Sequence, residues 1–177
     1  IRTIATGIGQ GITTVTPIAV ARYISALVNG GTVYDAHVVQ KVLDSKGNTV
    51  YETEPVVYNQ LNVNDEYLNA IKEGMKDVIS GEDATTATRQ FEDCIYKDQL
   101  GGKTGTAQVN NINLENNSWF VAFAPYDKPE IAIVVFIPSG YAGGYSGYTV
   151  RVIAEHYLDQ KYNTQTDEVP EKDSIVY

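Results

Sequence analysis

The segment 101–106, Gly-Gly-Lys-Thr-Gly-Thr, holds the side chains of this chain that are best suited to chemistry. Alternate side chains of an extended strand point to the same side, so Thr104 and Thr106 would share one face, with their hydroxyls about 7 Å apart. Two hydroxyls at this spacing can hold one carboxylate, and Gly105 between them leaves room for a peptide-like ligand to approach. If Lys103 reaches the same cleft, it favours an anionic substrate and activates a nearby hydroxyl, as a serine acyl-transfer site requires. The alternative is an ordinary edge strand with a surface lysine.

The tripeptide Gly-Lys-Thr at 102–104 could also end a phosphate-binding loop. That motif requires a glycine five positions before its last glycine, where this sequence has Lys97. The loop should also open into a helix, whereas residues 104–109 favour a strand. The glycine cluster at 7–11 does not complete the dinucleotide-binding fingerprint, because Ile12 stands where the third glycine would fall, and we interpret it as a turn. A nucleotide site is therefore excluded.

Composition limits the class of protein. The 177 residues, 43% of them hydrophobic, suffice for one globular domain with a buried core. A formal net charge of -9 argues against nucleic-acid binding, which depends on clustered Lys and Arg. Cys94 is the sole cysteine, so no internal disulfide can form, and the longest apolar run, Ile131 to Ile137, is far short of the roughly 20 residues that cross a bilayer. Because the sequence starts at Ile1 rather than Met, we expect a piece of a longer protein whose anchor and other domains lie elsewhere.

Two helices and a hairpin are predicted before the Lys103 segment. A helix over 17–29 begins after Thr16 as N-cap and ends at Gly30-Gly31, and since it is apolar on nearly every face we expect it to be largely buried. Residues 33–52 predict a surface hairpin around a turn at 45–48. An amphipathic helix over 64–79 is capped by Asn64 or Asp65 and stops at Gly81. Its apolar positions, assigned to core packing, are Leu68, Ile71, Met75, Val78 and Ile79.

After the Lys103 segment the pattern changes to strands. Residues 118–126 and 130–140 are rich in β-branched and aromatic residues and should pair antiparallel through a turn at 126–129. A glycine- and tyrosine-rich loop follows, and then a helix over 148–161 whose period runs through Val152, Ile153 and Tyr157. Residues 163–177 are polar and acidic, which predicts a disordered tail. The order of elements indicates an α+β fold.

Four stretches occur in one order along the chain: IGQG, TPIAVARYISALVNGG, GGKTGTAQ and WFVAFAPYDKPEIAIVV. Together they resemble the transpeptidase domain of class B penicillin-binding proteins, particularly those of the cell-elongation type, from about Gly7 to Tyr162. The resemblance implies part of a penicillin-binding and serine β-lactamase-like fold, in which antiparallel strands are packed by a C-terminal helix and accompanied by pieces of the helical subdomain. Residues 1–162 would form the C-terminal portion of that domain, and 163–177 its tail.

The resemblance also implies a function. Such enzymes are D,D-transpeptidases, in which a serine attacks the D-Ala-D-Ala end of a peptidoglycan stem peptide and β-lactams acylate the same serine without any cofactor. Lys103 would then support proton transfer and anion binding, while Thr104 and Thr106 hold the terminal carboxylate. The backbone N–H of Thr106 would contribute to the oxyanion hole, and Gly105 would keep the strand open.

The nucleophile that the family requires is missing from this sequence. The family places it in Ser-x-x-Lys, and none of the seven serines here has lysine three residues later; nor does any serine begin Ser-x-Asn, the second family motif. Tyr67-Leu68-Asn69 matches a Tyr-x-Asn variant, but it falls inside the predicted helix and is interpreted as chance. His37 and His156 have no spacing that suggests a metal site or a triad. The chain is therefore expected to be a cleft wall without its nucleophile.

Two other functions remain open from the sequence. The chain could be a non-catalytic module that binds a stem peptide or a protein through 103–108, or, less in keeping with its motifs, part of a serine β-lactamase or D,D-carboxypeptidase. The family sheet has five strands and two of them come from sequence outside this chain, so we expect self-association or contact with the N-terminal part of the same domain. The parent protein would act at the extracytoplasmic face of the bacterial cell membrane.

Overall fold

The computed structural model describes residues 2–7, 9–11, 13–82, 86–109 and 113–163. Its helices are α1 (Arg2–Gly7), α2 (Pro17–Val28), α3 (Asp65–Ser80), α4 (Thr86–Gln90) and α5 (Gly147–Asn163). Its strands are β1 (Thr32–Tyr34), β2 (Lys41–Leu43), β3 (Thr49–Glu52), β4 (Val57–Gln60), β5 (Gly101–Ala107), β6 (Asn117–Ala124) and β7 (Ile131–Ile137). The predicted disorder of 163–177 lies outside the described residues, except that Asn163 ends α5. No helix in the described part of the chain is both long enough and apolar enough to cross a membrane.

A three-stranded antiparallel sheet, in the order β5-β6-β7, forms the centre of the molecule. Its register places Gly105 opposite Trp119, and Trp119 opposite Phe136. The rings of that Trp–Phe pair lie 4.3 Å apart. The predicted antiparallel pairing of the two strands after the Lys103 segment is confirmed, as is the α+β order of elements.

Helix α2 begins and ends where its caps predict. The Thr16 hydroxyl accepts a hydrogen bond from the N–H of Ala19 at 3.3 Å, and Pro17 occupies the first turn. The prediction that this helix is largely buried is wrong. One side packs on β6 and β7 through Ile24 and its neighbours, whereas Tyr23 on the other side is 57% exposed.

The surface hairpin is confirmed as the β2–β3 pair, with its turn over Asp44–Asn48. The Asp44 carboxylate accepts hydrogen bonds from the Asn48 side chain and from backbone N–H groups of the turn, and these bonds lower its pKa. Tyr34 belongs instead to β1, which pairs with β4. That second pair was not predicted, because its strands are short and separated by more than 20 residues.

Helix α3 also has its predicted ends, with the Asn64 side chain accepting from the N–H of Glu66. Leu68, Met75 and Ile79 are buried as predicted, but Ile71 is 41% exposed. Ile71 is wrongly assigned to the core because β5 and α2 contact α3 along a stripe that leaves this residue outside.

Helix α5 is present as predicted, but the apolar period through Val152, Ile153 and Tyr157 does not mark its most buried face. The buried positions are Val150, Ala154 and Leu158, spaced four residues apart, whereas Val152 and Ile153 are 47% and 43% exposed. A helix with apolar residues on two faces does not reveal which face meets the sheet. Here the stripe that includes the small residue Ala154 packs against β6 and β7.

Polar contacts attach the end of α5 to the start of β7. Glu130 accepts hydrogen bonds from Lys161 at 2.6 Å and from the Tyr157 hydroxyl at 2.8 Å. The bond from Lys161, with that from Tyr157, lowers the pKa of Glu130. The same contact raises the pKa of Lys161. This connection fixes the helix across the back of the sheet.

Candidate functional site

Strand β5 is an edge strand whose first two residues must be glycines. A Cβ at Gly101 would overlap the ring of Phe123, and one at Gly102 would lie 2.7 Å from the ring of Phe120. The glycine pair therefore lets β5 lie directly on the aromatic core. Lys103 follows this glycine pair, and its side chain is exposed.

A cavity of about 300 Å³ opens beside β5. Its walls come from three parts of the chain: β5, the helices α3 and α4, and the glycine-rich loop that precedes α5. The lining residues are Val78, Ala87, Lys103, Thr104, Thr106, Ala142, Gly143 and Gly144. Lys103 is the charged member of this lining, so the cavity favours an anion.

The structure brings Lys103, Thr104 and Thr106 to the same cavity. The Lys103 ammonium donates to the Thr104 carbonyl at 3.0 Å and lies 3.4 Å from the Thr104 hydroxyl. An ammonium has three protons, so this geometry leaves Lys103 able to donate to a ligand as well. The Lys103 side chain is exposed and lies next to the Thr104 hydroxyl, so both groups could bind the same anion.

Thr106 is bound from the opposite wall. Its hydroxyl accepts a hydrogen bond from the N–H of Gly143 at 2.9 Å. Because that bond uses an oxygen lone pair, the hydroxyl proton stays available to a ligand. Thr104 and Thr106 lie on the same face of β5, by strand alternation and by their pairing with Phe120 and Ser118.

Gly105 lies in close contact with the loop that precedes α5. The turn at Gly143 lies against its backbone, where a Cβ on Gly143 would stand 2.7 Å from the Gly105 nitrogen. A Cβ on Gly105 itself would meet Trp119 on the other face at 3.2 Å. Gly105 does not line the cavity. A glycine at this position allows the loop to pack closely against β5.

Two buried serines, which were not predicted as site residues, hold that loop. The Ser118 hydroxyl donates to the Ala142 carbonyl at 2.7 Å, and its oxygen lies 2.7 Å from that of Ser146. Ser146 also lies within hydrogen-bond distance of the Gly143 carbonyl, at 3.0 Å. Both serines are fully buried. The sequence did indicate Ser118, because it alternates with Phe120 and Ala122 on the buried face of β6, and a hydroxyl at a core position needs a hydrogen-bond partner.

The glycine cluster at 7–11 also reaches β5, which was not predicted. The side-chain amide of Gln10 donates to the Thr106 carbonyl at 2.8 Å, and its oxygen accepts from the N–H of Gln108 at 3.1 Å. Gly9 and Gly11 on either side take positive φ angles of 75° and 104°, in keeping with the predicted turn. The cluster therefore belongs to the surroundings of the site.

The remaining candidates from the sequence lie away from the cavity. Leu68 of the Tyr67-Leu68-Asn69 triplet is buried in α3 and Tyr67 is exposed, in accord with the helical period. His37 is exposed, and the His156 ring lies 3.1 Å from the Gln160 amide on α5. Within the described residues, no three His, Cys, Asp or Glu side chains come together as metal ligands.

Comparisons with known proteins identify the family of this chain. Residues 1–158 match the family model of the penicillin-binding protein transpeptidase domain. The chain is 32% identical to the peptidoglycan D,D-transpeptidase MrdA of Haemophilus influenzae, over 90% of this chain and 26% of that protein. The chain thus spans about a quarter of the length of this curated relative.

Solved structures show the same architecture. PBP2 of Pseudomonas aeruginosa, in complex with WCK 5153, is 25% identical and superposes with a TM-score of 0.69, covering 99% of this chain and 36% of that one. An imipenem acyl-enzyme complex of penicillin-binding protein A from M. tuberculosis is 23% identical and has a TM-score of 0.72, over 87% of this chain and 33% of that one. The sequence match over most of the chain and the shared fold show that this chain belongs to the penicillin-binding protein transpeptidase family.

Proposed function

We propose that this chain forms one wall of the active site of a peptidoglycan D,D-transpeptidase, whose nucleophilic serine comes from sequence outside these 177 residues. The observation that carries the proposal is the convergence of Lys103, Thr104 and Thr106 on one cavity. An ammonium and two hydroxyls with free protons form a suitable receptor for the terminal carboxylate of a D-Ala-D-Ala peptide or for the carboxylate of a β-lactam. Family membership supports this assignment.

The backbone of β5 would supply the electrostatic part of catalysis. Residues on an edge strand direct their N–H and C=O groups alternately toward the neighbouring strand and away from it. The Thr106 carbonyl points away from β6, because Gln10 binds it there, so the Thr106 N–H points to the same open edge. From this position it can donate to the oxyanion of a tetrahedral intermediate, where one lost donor costs about 3 to 4 kcal/mol of transition-state stabilisation.

The reaction would proceed in two displacements. The serine oxygen bonds to the carbonyl carbon of the penultimate D-Ala, the C–N bond breaks, and the serine proton goes to the amine of the departing D-Ala. The amine of a neighbouring stem peptide then attacks the ester carbonyl carbon, the C–O bond to the serine breaks, and the proton lost by the amine goes to the serine oxygen. Lys103 would stabilise the substrate carboxylate and assist the proton transfers near the serine.

The outer edge of β7 would meet the N-terminal part of the same domain. Within the described residues, β7 pairs with β6 alone, and its sequence IAIVVFI makes it the most apolar strand of the sheet. An apolar edge strand invites pairing with another strand. The parent protein would work at the extracytoplasmic face of the bacterial membrane, where its substrate lies.

The test is the intact mass of the protein after incubation with excess benzylpenicillin, for this chain and for a form extended N-terminally through the Ser-x-x-Lys motif. We expect the extended form to gain one antibiotic mass and the short form none. Hydrolysed benzylpenicillin serves as the control, since it lacks the reactive lactam. Stoichiometric labelling of the short chain would contradict a nucleophile located elsewhere.

Failure of the extended form to react would contradict the transpeptidase assignment. In that case, binding of a D-Ala-D-Ala stem peptide without covalent labelling would favour the non-catalytic binding module.

A further inference from the structure

We propose that Gln10 is a positioning residue that takes the place of a neighbouring strand at the open edge of β5 and thereby fixes the backbone N–H donor of Thr106. The proposal rests on the function proposed above. It assigns a role to the Gly-rich cluster at 7–11, whose residues do not line the cavity.

The hydrogen bonds of Gln10 are those of a strand residue. Its amide nitrogen binds the carbonyl of Thr106 at 2.8 Å and its amide oxygen binds the N–H of Gln108 at 3.1 Å. In a parallel sheet, one residue makes the same two bonds: its N–H donates to the carbonyl of one residue on the next strand, and its carbonyl accepts from the N–H two positions further along that strand. The side chain thus supplies to β5 what a fourth strand would supply.

The location of this contact matters for the site. Pairing of Gly105 and Ala107 with β6 holds the inner side of β5 on either side of Thr106, and the Gly143 N–H holds the Thr106 hydroxyl. Gln10 provides the third restraint, on the carbonyl side. Because the β5–β6 register ends at the pair of Ala107 with Asn117, Gln108 lies beyond the sheet, and its N–H binds Gln10 instead.

The turn around Gln10 is built to present that side chain. Gly9 and Gly11 have φ angles of 75° and 104°, which L side chains rarely adopt. The N–H of Gly9 donates to the Thr6 carbonyl at 3.0 Å, which closes the turn. Gln10 therefore lies between two glycines whose backbone conformations would strain most other residues.

A misplaced oxyanion donor loses much of its effect, because catalytic stabilisation depends on geometry held to fractions of an ångström. We therefore expect Gln10→Ala to lower the first-order rate of acylation by benzylpenicillin on the order of tenfold. The dissociation constant of the preceding complex should change less than about twofold, because the Lys103 and Thr104 contacts to the carboxylate remain.

The experiment measures acylation in the N-terminally extended protein by rapid mixing, which separates the binding constant from the first-order step. Gln10→Glu keeps the acceptor for the Gln108 N–H but removes the donor to the Thr106 carbonyl, so its rate should also fall. Gln40→Ala, an exposed glutamine before β2, is the matched control. Amide hydrogen exchange gives a readout independent of activity, since the Gln108 N–H should lose protection in Gln10→Ala and keep it in Gln10→Glu.

Two results would overturn the inference. One is an unchanged acylation step in a folded Gln10→Ala protein whose parent reacts normally. The other is a loss confined to the binding constant. If the unaltered extended protein does not react at all, the proposed function fails, whereas loss of Gln108 protection in Gln10→Ala would still test the contact itself.

Discussion

The two edge strands of the central sheet, β5 and β7, differ in how their free sides are treated. The open edge of β5 is served by polar side chains, with Lys103 on the Thr104 carbonyl and Gln10 on the Thr106 carbonyl. The edge of β7 carries the sequence IAIVVFI, with no strand beside it among the described residues. Under the proposals above, one edge binds a small polar ligand and the other binds a protein strand.

The comparison separates two requirements that both act on edge strands. A strand edge that binds a ligand must stay open, and side chains prevent it from pairing with unrelated strands. A strand edge that completes a sheet must present its backbone and an apolar surface. The three predictions below test this contrast, beginning with the largest effect.

Removing the charge at the β5 edge should have the largest effect. In the extended protein, we expect Lys103→Ala to lower the second-order rate constant of benzylpenicillin acylation about 10² to 10³-fold, because both anion binding and proton transfer lose their cation. Stopped-flow or mass-based kinetics would measure the change. Lys41→Ala, in the exposed β2–β3 hairpin, is the control and should react normally. Acylation of Lys103→Ala at the parent rate would contradict a role for Lys103 in acylation and, with it, the contrast between the β5 and β7 edges.

A proline in β7 should reveal whether its edge is used. Backbone N–H and C=O groups alternate between the two sides of each strand, and the Thr106 carbonyl points away from β6. Following this alternation through the β5–β6 and β6–β7 registers places the N–H of Val134 on the outer edge of β7 and the N–H of Val135 toward β6. We expect this chain to self-associate at micromolar concentration, and Val134→Pro to convert it to a monomer, as measured by light scattering.

Val135→Pro is the matched comparison, since it removes a bond within the sheet and should lower the melting temperature instead. A parent chain that is monomeric and binds no exposed-surface dye would contradict the use of the β7 edge.

The smallest effect is expected at the loop that closes the β5 cavity. Ser118→Ala removes a buried donor to the Ala142 carbonyl and should lower the free energy of unfolding by about 1 to 3 kcal/mol. Urea unfolding would measure this change. Ser45→Ala, in the exposed hairpin turn, should change it by less than about 0.5 kcal/mol. Equal effects at both serines would mean that the buried hydroxyl pair does not hold the loop.

Much of the fold was predictable because its signals are local. Thr16 and Asn64 cap their helices through side chains two or three residues from their partners, so the sequence carries the helix starts directly. The hairpin turn at Asp44–Asn48 is local as well. The predicted burial of α2 was wrong, and the apolar period of α5 did not mark its most buried face, because periodicity identifies apolar faces but not which of them has a neighbour.

The site divides in the same way. The spacing of Lys103, Thr104 and Thr106 made them candidates from the sequence alone, and the structure places them around one cavity. Gln10 and Ser146 could not be chosen from the sequence, because glutamines and serines are common and their partners lie 96 and 28 residues away. The catalytic role of Lys103 and the positioning role of Gln10 remain predictions, which the variants above test.

The sequence by itself determined the longer helices, the β2–β3 hairpin, the strands β6 and β7 and the three side chains on β5, since each depends on neighbours within a few residues. Tertiary structure decided which faces are buried, which loop closes the cavity and which glutamine supports the strand edge. The physical reason is that strand edges and cavities are formed by groups far apart in the chain, and packing of the whole domain selects their contacts from many that are locally equivalent.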